Sequence, residues 1–543
     1  MRWVCVALLA LLFASPAHAT ADKWYITKDH WSAADEIGFG KFVQSIGDDI
    51  CSSTESCMRS AANPYRASDP TGFDVDADCA KFVYFLRAYY AWKHGLPFSF
   101  VNGIAGKGAD LRFSKDGNRA ISRYAFLDHG DGIDGPAAMR AVMSSVSSAT
   151  YRQAADKEGR IQPDFYSPAL SPQTIKPGTV IYDVNGHAAI VYRVDADGRI
   201  HYFGASPDFS IARDVYGAQF GQPPASLGGG FKDWRPQRLV GAHRDAQGHL
   251  IGGHIELDRD ADISSYSLVQ YTGTADAAPE KPTAAKFAYN GVDLGYFEYV
   301  RAAVSGGDMS YNPIYEFKTT LREMCKEFGD RAQSVDQAIA DGTQNKPHPD
   351  RLPGNIYASP DGTWESYATP MRDGRIKAIF AQSYRDLSGM LKLWQRRDPR
   401  IVYDGLDLQA DLRKVYRQET RHCGVTYLSS AKVPVTLNFD DLVHRLYAMS
   451  FDPYDCIEHR WGETGDAAAS CPDADNKRRW YRAEQVLRNQ ITPDVTAPMN
   501  YTLAALERLN ARPAKAPAPV DVKTLIDDMG PRIAFQPMQP IGE

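Results

Sequence analysis

Apolar positions recur with a helical period at Cys79, Phe82, Val83, Leu86 and Tyr90, which predicts an amphipathic helix starting near Asp78. Farther on the period shortens, and Gly178 to Asp183, His187 to Val194 and Arg199 to Ala205 read as strands. Helices first and strands later predict an α+β domain over residues 20–242. Alternation continues from Val240 to Gly273, so residues 243–287 are expected to be a β-rich extension that ends in a linker, Thr274 to Ala285 being rich in Ala, Pro and Thr. Beyond it, Tyr315 to Ala340, Arg372 to Arg396, Asp440 to Ser450 and Arg479 to Leu487 return to helical spacing and predict a mostly α-helical domain over 288–512. Residues 513–543, with six prolines from Pro513 to Pro540, are expected to form an irregular tail.

The first residues change the picture of where the protein works. Met1-Arg2, an apolar run from Trp3 to Phe13 and Ala17-His18-Ala19 have the order of a cleavable secretory signal, residues 1–19, which predicts a periplasmic or secreted protein cut after Ala19. No later window reaches the ~20 apolar residues of a membrane-crossing helix, so no transmembrane segment is expected. The net charge of -6 is spread without a basic stripe, which argues against a nucleic-acid partner. Export favours disulfides among the seven cysteines left after Cys5. Closeness in sequence pairs Cys51 with Cys57 and Cys456 with Cys471, Cys325 then falls to Cys423, and Cys79 is left free.

A free cysteine at a helix start is the chemistry that stands out. Nucleophilic catalysis needs thiolate, which a helix N-terminus and a nearby imidazolium favour, and Asp76 or Asp78 is placed to cap the helix. Those carboxylates raise a thiol pKa, so the histidine must supply the activation. The structural alternative is that Cys79 merely belongs to the apolar face it shares with Phe82, Val83, Leu86 and Tyr90, or pairs with Cys51 or Cys57.

His187 has a more telling setting: the run Lys176-Pro177-Gly178-Thr179-Val180-Ile181-Tyr182-Asp183, a short loop, then Gly186-His187-Ala188-Ala189-Ile190-Val191. Taken in order with Asp78-Cys79-Ala80, these segments resemble the NlpC-type and CHAP-type cell-wall peptidases and amidases of the papain-like fold, over about Thr71 to Asp214. Thr179 departs from the family's usual Asp, and the Cys-to-His spacing implies an insertion between Asn102 and Ser171. Cys79 with the helix end Gly95-Leu96-Pro97 is also similar to the transglutaminase-like superfamily. Either resemblance implies acyl-enzyme chemistry on an amide, with Cys79 as nucleophile, His187 as general base and no cofactor. The first implies peptide or peptidoglycan stem peptides as substrate. The competing expectation is a non-catalytic periplasmic scaffold or binding protein with a papain-like core, its helical half contacting an envelope protein partner; acyl transfer is the third.

A third residue must orient the imidazole. A hairpin through Asp195-Ala196-Asp197-Gly198 puts Gly204, Ser206 and Asp208 on the face of His187 and His201 on the other, so Asp208 is expected in that role, with Ser206 in reserve. Tyr182, Trp234 and Arg235 are expected to line a groove or to plug an aromatic core. No metal is expected, since His243, His249 and His254 lack ligand spacing and no HExxH or paired CxxC occurs. The acids of Asn438-Phe439-Asp440-Asp441 read as helix capping.

Overall fold

The computed structural model describes residues 22–529, apart from 208, 218–219, 275–284, 308, 354–363, 365–366, 368, 490–499, 510–513 and 519–520. The proposed signal segment, most of the linker and Asp208 therefore lie outside the described residues. The chain is α+β.

Two 16-residue helices and a six-stranded sheet form the centre of the N-terminal half. Helix α1 (Ala33–Asp48) opens with a capping box between Ser32 and Asp35. Helix α2 (Cys79–His94) is capped by Asp78, whose carboxylate accepts from the Lys81 N–H, and ends at Gly95 in the left-handed region with φ 61°. A side chain at Gly95 would meet Thr27, so glycine serves both the turn and the close approach there.

Six antiparallel strands follow: β1 (Phe165–Tyr166), β2 (Val180–Asp183), β3 (His187–Val194), β4 (Ile200–Ala205), β5 (Ile211–Val215) and β6 (Gly230–Trp234). They lie in the order β1-β6-β2-β3-β4-β5. Both faces of this sheet are buried. On one face Val180, Tyr182, Ala188, Ile190, Tyr192, Phe203 and Ala205 pack with residues of α1 and α2. On the other, Ile181, Ala189, Val191, Tyr202 and Phe231 pack under Phe287, Tyr296, Tyr299 and Val300.

That second face is covered by Phe287 of a short hairpin, at the end of the expected extension, and by Tyr296, Tyr299 and Val300 of α3 (Tyr296–Val304), within the stretch expected to be the helical domain starting at 288. An amphipathic helix goes where an uncovered apolar face exists, and the sheet offers one. Likewise Gln237–Val240 pairs with His254–Leu257, and Gln270 bonds the Phe231 backbone, so the β-rich extension belongs to the N-terminal half.

The helical half starts with α4 (Pro313–Ala340) and continues through α5 (Thr369–Gln395) and α6 (Leu408–Thr420). Its core joins Leu321, Phe328, Phe380, Leu412, Phe439 and Trp461. Asn438 forms a capping box with Asp441, the capping role expected for that acidic run. The tail is not wholly irregular: α7 (Val522–Asp527) inserts Val522 and Ile526 into this core. The disulfides are Cys51–Cys57, Cys325–Cys423 and Cys456–Cys471, with Cys79 free, as sequence proximity predicts.

Candidate active site

Asp78 fixes the first turn of α2, and this turn sets the Cys79 thiol against the start of β3, with Sγ 3.8 Å from the Gly186 carbonyl oxygen. The residue is partly accessible, yet the protein packed around its sulfur, followed by the Asp78 charge, pushes the thiol up to about 12. Backbone N–H donors, that of Ala188 first among them, only partly offset this.

Ala188, Ile190 and Tyr192 point to the α1/α2 face, whereas Ala189 and Val191 point to the opposite one. His187 follows the second set. Its Nε2 lies 3.0 Å from the place a Cβ on Gly204 would occupy, and Gly204 sits between Phe203 and Ala205, which both face α2. By alternation His187 starts β3 on the side of Ala189 and Val191, while the even-numbered residues turn toward α2.

The remaining expectations fall around this point. The turn between β3 and β4 closes through Asp195 and Arg199, pairs Val194 with Ile200, and then slips by a bulge to pair Ile190 with Phe203. Continued, that register brings Ser206 opposite His187. Ser206 closes a turn with Ser210, its N–H donating to the Ser210 carbonyl oxygen. His201 sits at the other end of the strand pair, 2.7 Å from Asp195. Tyr182, Trp234 and Arg235 are all buried, Trp234 against Phe165, Tyr84 and Phe98, and Arg235 on Asp260.

Sequence reading missed a cavity of about 420 Å³ between the two halves, bounded by the β5 end of the sheet, α3, α4 and α5. Val215, Tyr216, Phe297 and Met390 give it an apolar wall, and Glu323 and Asp386 give it carboxyls. Burial, then the charges of Asp214 and Glu327, holds Glu323 well above the usual carboxylate range. Asp386 opens to the solvent of the cavity, and the protein mass around that opening, with Glu298 adding, pushes its carboxyl up to about 7. Of the cations that line it, Arg199 and Arg301 both hold Glu316 of α4 and Arg400 holds Asp398, and Lys392 and Arg396 line it as well. The helical spacing of α4 and α5 was the only signal in the sequence, and it does not say which helix face meets the sheet.

No protein-family model, curated protein or solved structure matches this chain. Among the described residues no helix is long and apolar enough to cross a membrane, and three disulfides fit an extracellular or periplasmic protein.

Proposed function

We propose that this chain is an exported binding protein with a non-catalytic papain-like core, and that it takes its ligand in the cavity between the sheet and the helical half. The observation that carries this reading is the Cys79 thiol, which the protein packed around it and the Asp78 charge push up to about 12. Such a thiol is a poor nucleophile at neutral pH. A helix with Cys79 at its first position, packed on an antiparallel sheet, supports kinship of architecture with papain-like proteins, and architecture carries no activity by itself.

The cavity supports the binding half of the proposal. It is in the size range of small-ligand sites, has an apolar wall and gathers carboxyls whose charge the protein disfavours. A cationic group on the ligand would restore that charge, so the fitting class is a small amphipathic amine or a peptide segment bearing Lys or Arg. Calorimetric titration of the mature protein with short Lys-containing and Glu-containing peptides tests this. Saturable binding of the basic series alone, weakened at least tenfold by Asp386→Asn, is the expected result. Equal, negligible heats for both series would end the cavity reading, and thiol-dependent cleavage of either would restore the hydrolase.

A further inference from the structure

The strongest unexplained chemistry lies far from the sheet. His348, Asp452 and Glu484 come from three separate segments of the helical half, and their side chains are fully buried. One ligand atom from each lies within 4.8 Å of the others, with His348 Nε2 2.7 Å from Asp452 Oδ2 and 4.0 Å from Glu484 Oε1. Despite the short distance, Asp452 Oδ2 and His348 Nε2 share no hydrogen bond of good geometry, and both oxygens of Glu484 are without a partner. These buried polar atoms face one another at ion-pair distance without a hydrogen bond of good geometry, which native proteins rarely leave so.

The surroundings have the form of a ligand shell. His348 Nδ1 is 2.6 Å from the Pro349 carbonyl oxygen, which can only accept, so Nδ1 carries a proton and donates, and Nε2 is the ring nitrogen turned toward Asp452 and Glu484. Asp452 Oδ1 accepts the Tyr454 N–H, which turns Oδ2 inward. The ring of His348 stacks on Trp480 at 4.1 Å, and Leu352, Phe451, Tyr454, Trp480 and Leu487 enclose the group in an apolar layer. Donors around a tetrahedral ion with ~2.0–2.1 Å bonds sit about 3.3 Å apart, between the two separations seen here.

We propose that His348, Asp452 and Glu484 hold a structural divalent transition-metal ion of the Zn²⁺ or Mn²⁺ type. One imidazole nitrogen with two carboxylates suits these ions better than Ca²⁺, which takes oxygen ligands. Two carboxylates match the charge of one divalent ion. Full burial gives the ion a structural part: it would tie the segment around His348 to the chain between Asp452 and Glu484. The buried Arg460 and Arg488 lie nearby as counter-charges.

A second group, Cys456, His459, Cys471 and Asp473, also has metal-ligand chemistry, but its two sulfurs are joined in a disulfide. It serves as the internal control. Elemental analysis of full-length mature protein, purified without chelator or reductant, should find about one Zn or Mn per chain. Glu484→Gln, which keeps the side-chain shape, and His348→Ala should lose it, while His459→Ala should keep it. EDTA dialysis should lower the Tm of wild type, added Zn²⁺ or Mn²⁺ should restore it, and Glu484→Gln should not respond. If a variant fails to fold, the metal content and EDTA response of wild type decide alone. Less than a tenth of an equivalent of any metal, with a Tm unmoved by EDTA and by added ion, would overturn the site.

Discussion

The sulfur of Cys79 rests 3.8 Å from the carbonyl oxygen of Gly186, the residue just before His187, while Nε2 of the imidazole one position later lies beside Gly204. With its pKa at about 12 against an ordinary ~8.5, Cys79 holds roughly three orders of magnitude less thiolate near pH 7.5. Higher intrinsic nucleophilicity of the rarer thiolate returns part of this, because reactivity rises with pKa at a slope of about 0.4–0.5. Iodoacetamide should therefore label Cys79 on the order of 100-fold more slowly than a free thiol at neutral pH. His187→Ala should not alter the rate. Peptide mass mapping over a pH series measures this, and fast labelling at pH 7 that falls in His187→Ala would contradict the raised thiol pKa.

The packing that fixes the orientation of β3 makes its own prediction. Gly47, in the last turn of α1, lies so close to Tyr192 of β3 that a Cβ there would stand 2.2 Å from Tyr192 Cγ. The obstructing atoms are near the Tyr192 backbone, so no rotamer change clears them. Gly47→Ala must lift α1 off the sheet, and a loss of about 1–3 kcal/mol in denaturant unfolding is expected. A neutral result would mean that α1 does not approach the sheet this closely.

Local signals carried the sequence reading as far as local signals reach. Asp78 as cap, Gly95 as helix end, the Asn438–Asp441 capping box and the three disulfides are each set by residues close in sequence or by elimination. The side of β3 that meets α2 was not legible, since His187-Ala188-Ala189-Ile190-Val191-Tyr192 is buried on both faces and has no polar alternation to orient it. The same reason hid α3, whose partner is the sheet's second face. The cluster of His348, Asp452 and Glu484 has no spacing motif because tertiary contacts alone assemble it.

The disulfides should differ in worth. Cys325–Cys423 spans a sequence separation of 98 and ties α4 to the end of α6, whereas Cys51–Cys57 spans 6. If cross-links act mainly by restricting the unfolded chain, the long loop contributes more, about 4–5 kcal/mol in the limit and roughly 2–4 in practice. Replacing both Cys325 and Cys423 by Ser should lower the Tm more than replacing Cys51 and Cys57. The reverse order would place the stabilisation in native contacts instead, Arg213 being bonded to the Cys51 carbonyl oxygen in just that short loop.

The cavity carboxyl Asp386 gives a pH dependence whose sign follows from its surroundings. Protein around it raises its pKa to about 7, above the ~3.9 of an unfolded chain, so between those values the folded state binds the extra proton. Its contribution to stability is fully present below about pH 4 and is lost as pH rises through 7. Asp386→Asn removes the charge that is disfavoured at high pH. The variant should exceed wild type in Tm at pH 8, and the gap should close toward pH 4. Because water in the cavity reaches this group, the gap should be small beside those above. A ligand that brings a cation to Asp386 should reverse the order, stabilising wild type above Asp386→Asn at pH 8, and thermal melts with and without a Lys-containing peptide read both effects in one experiment.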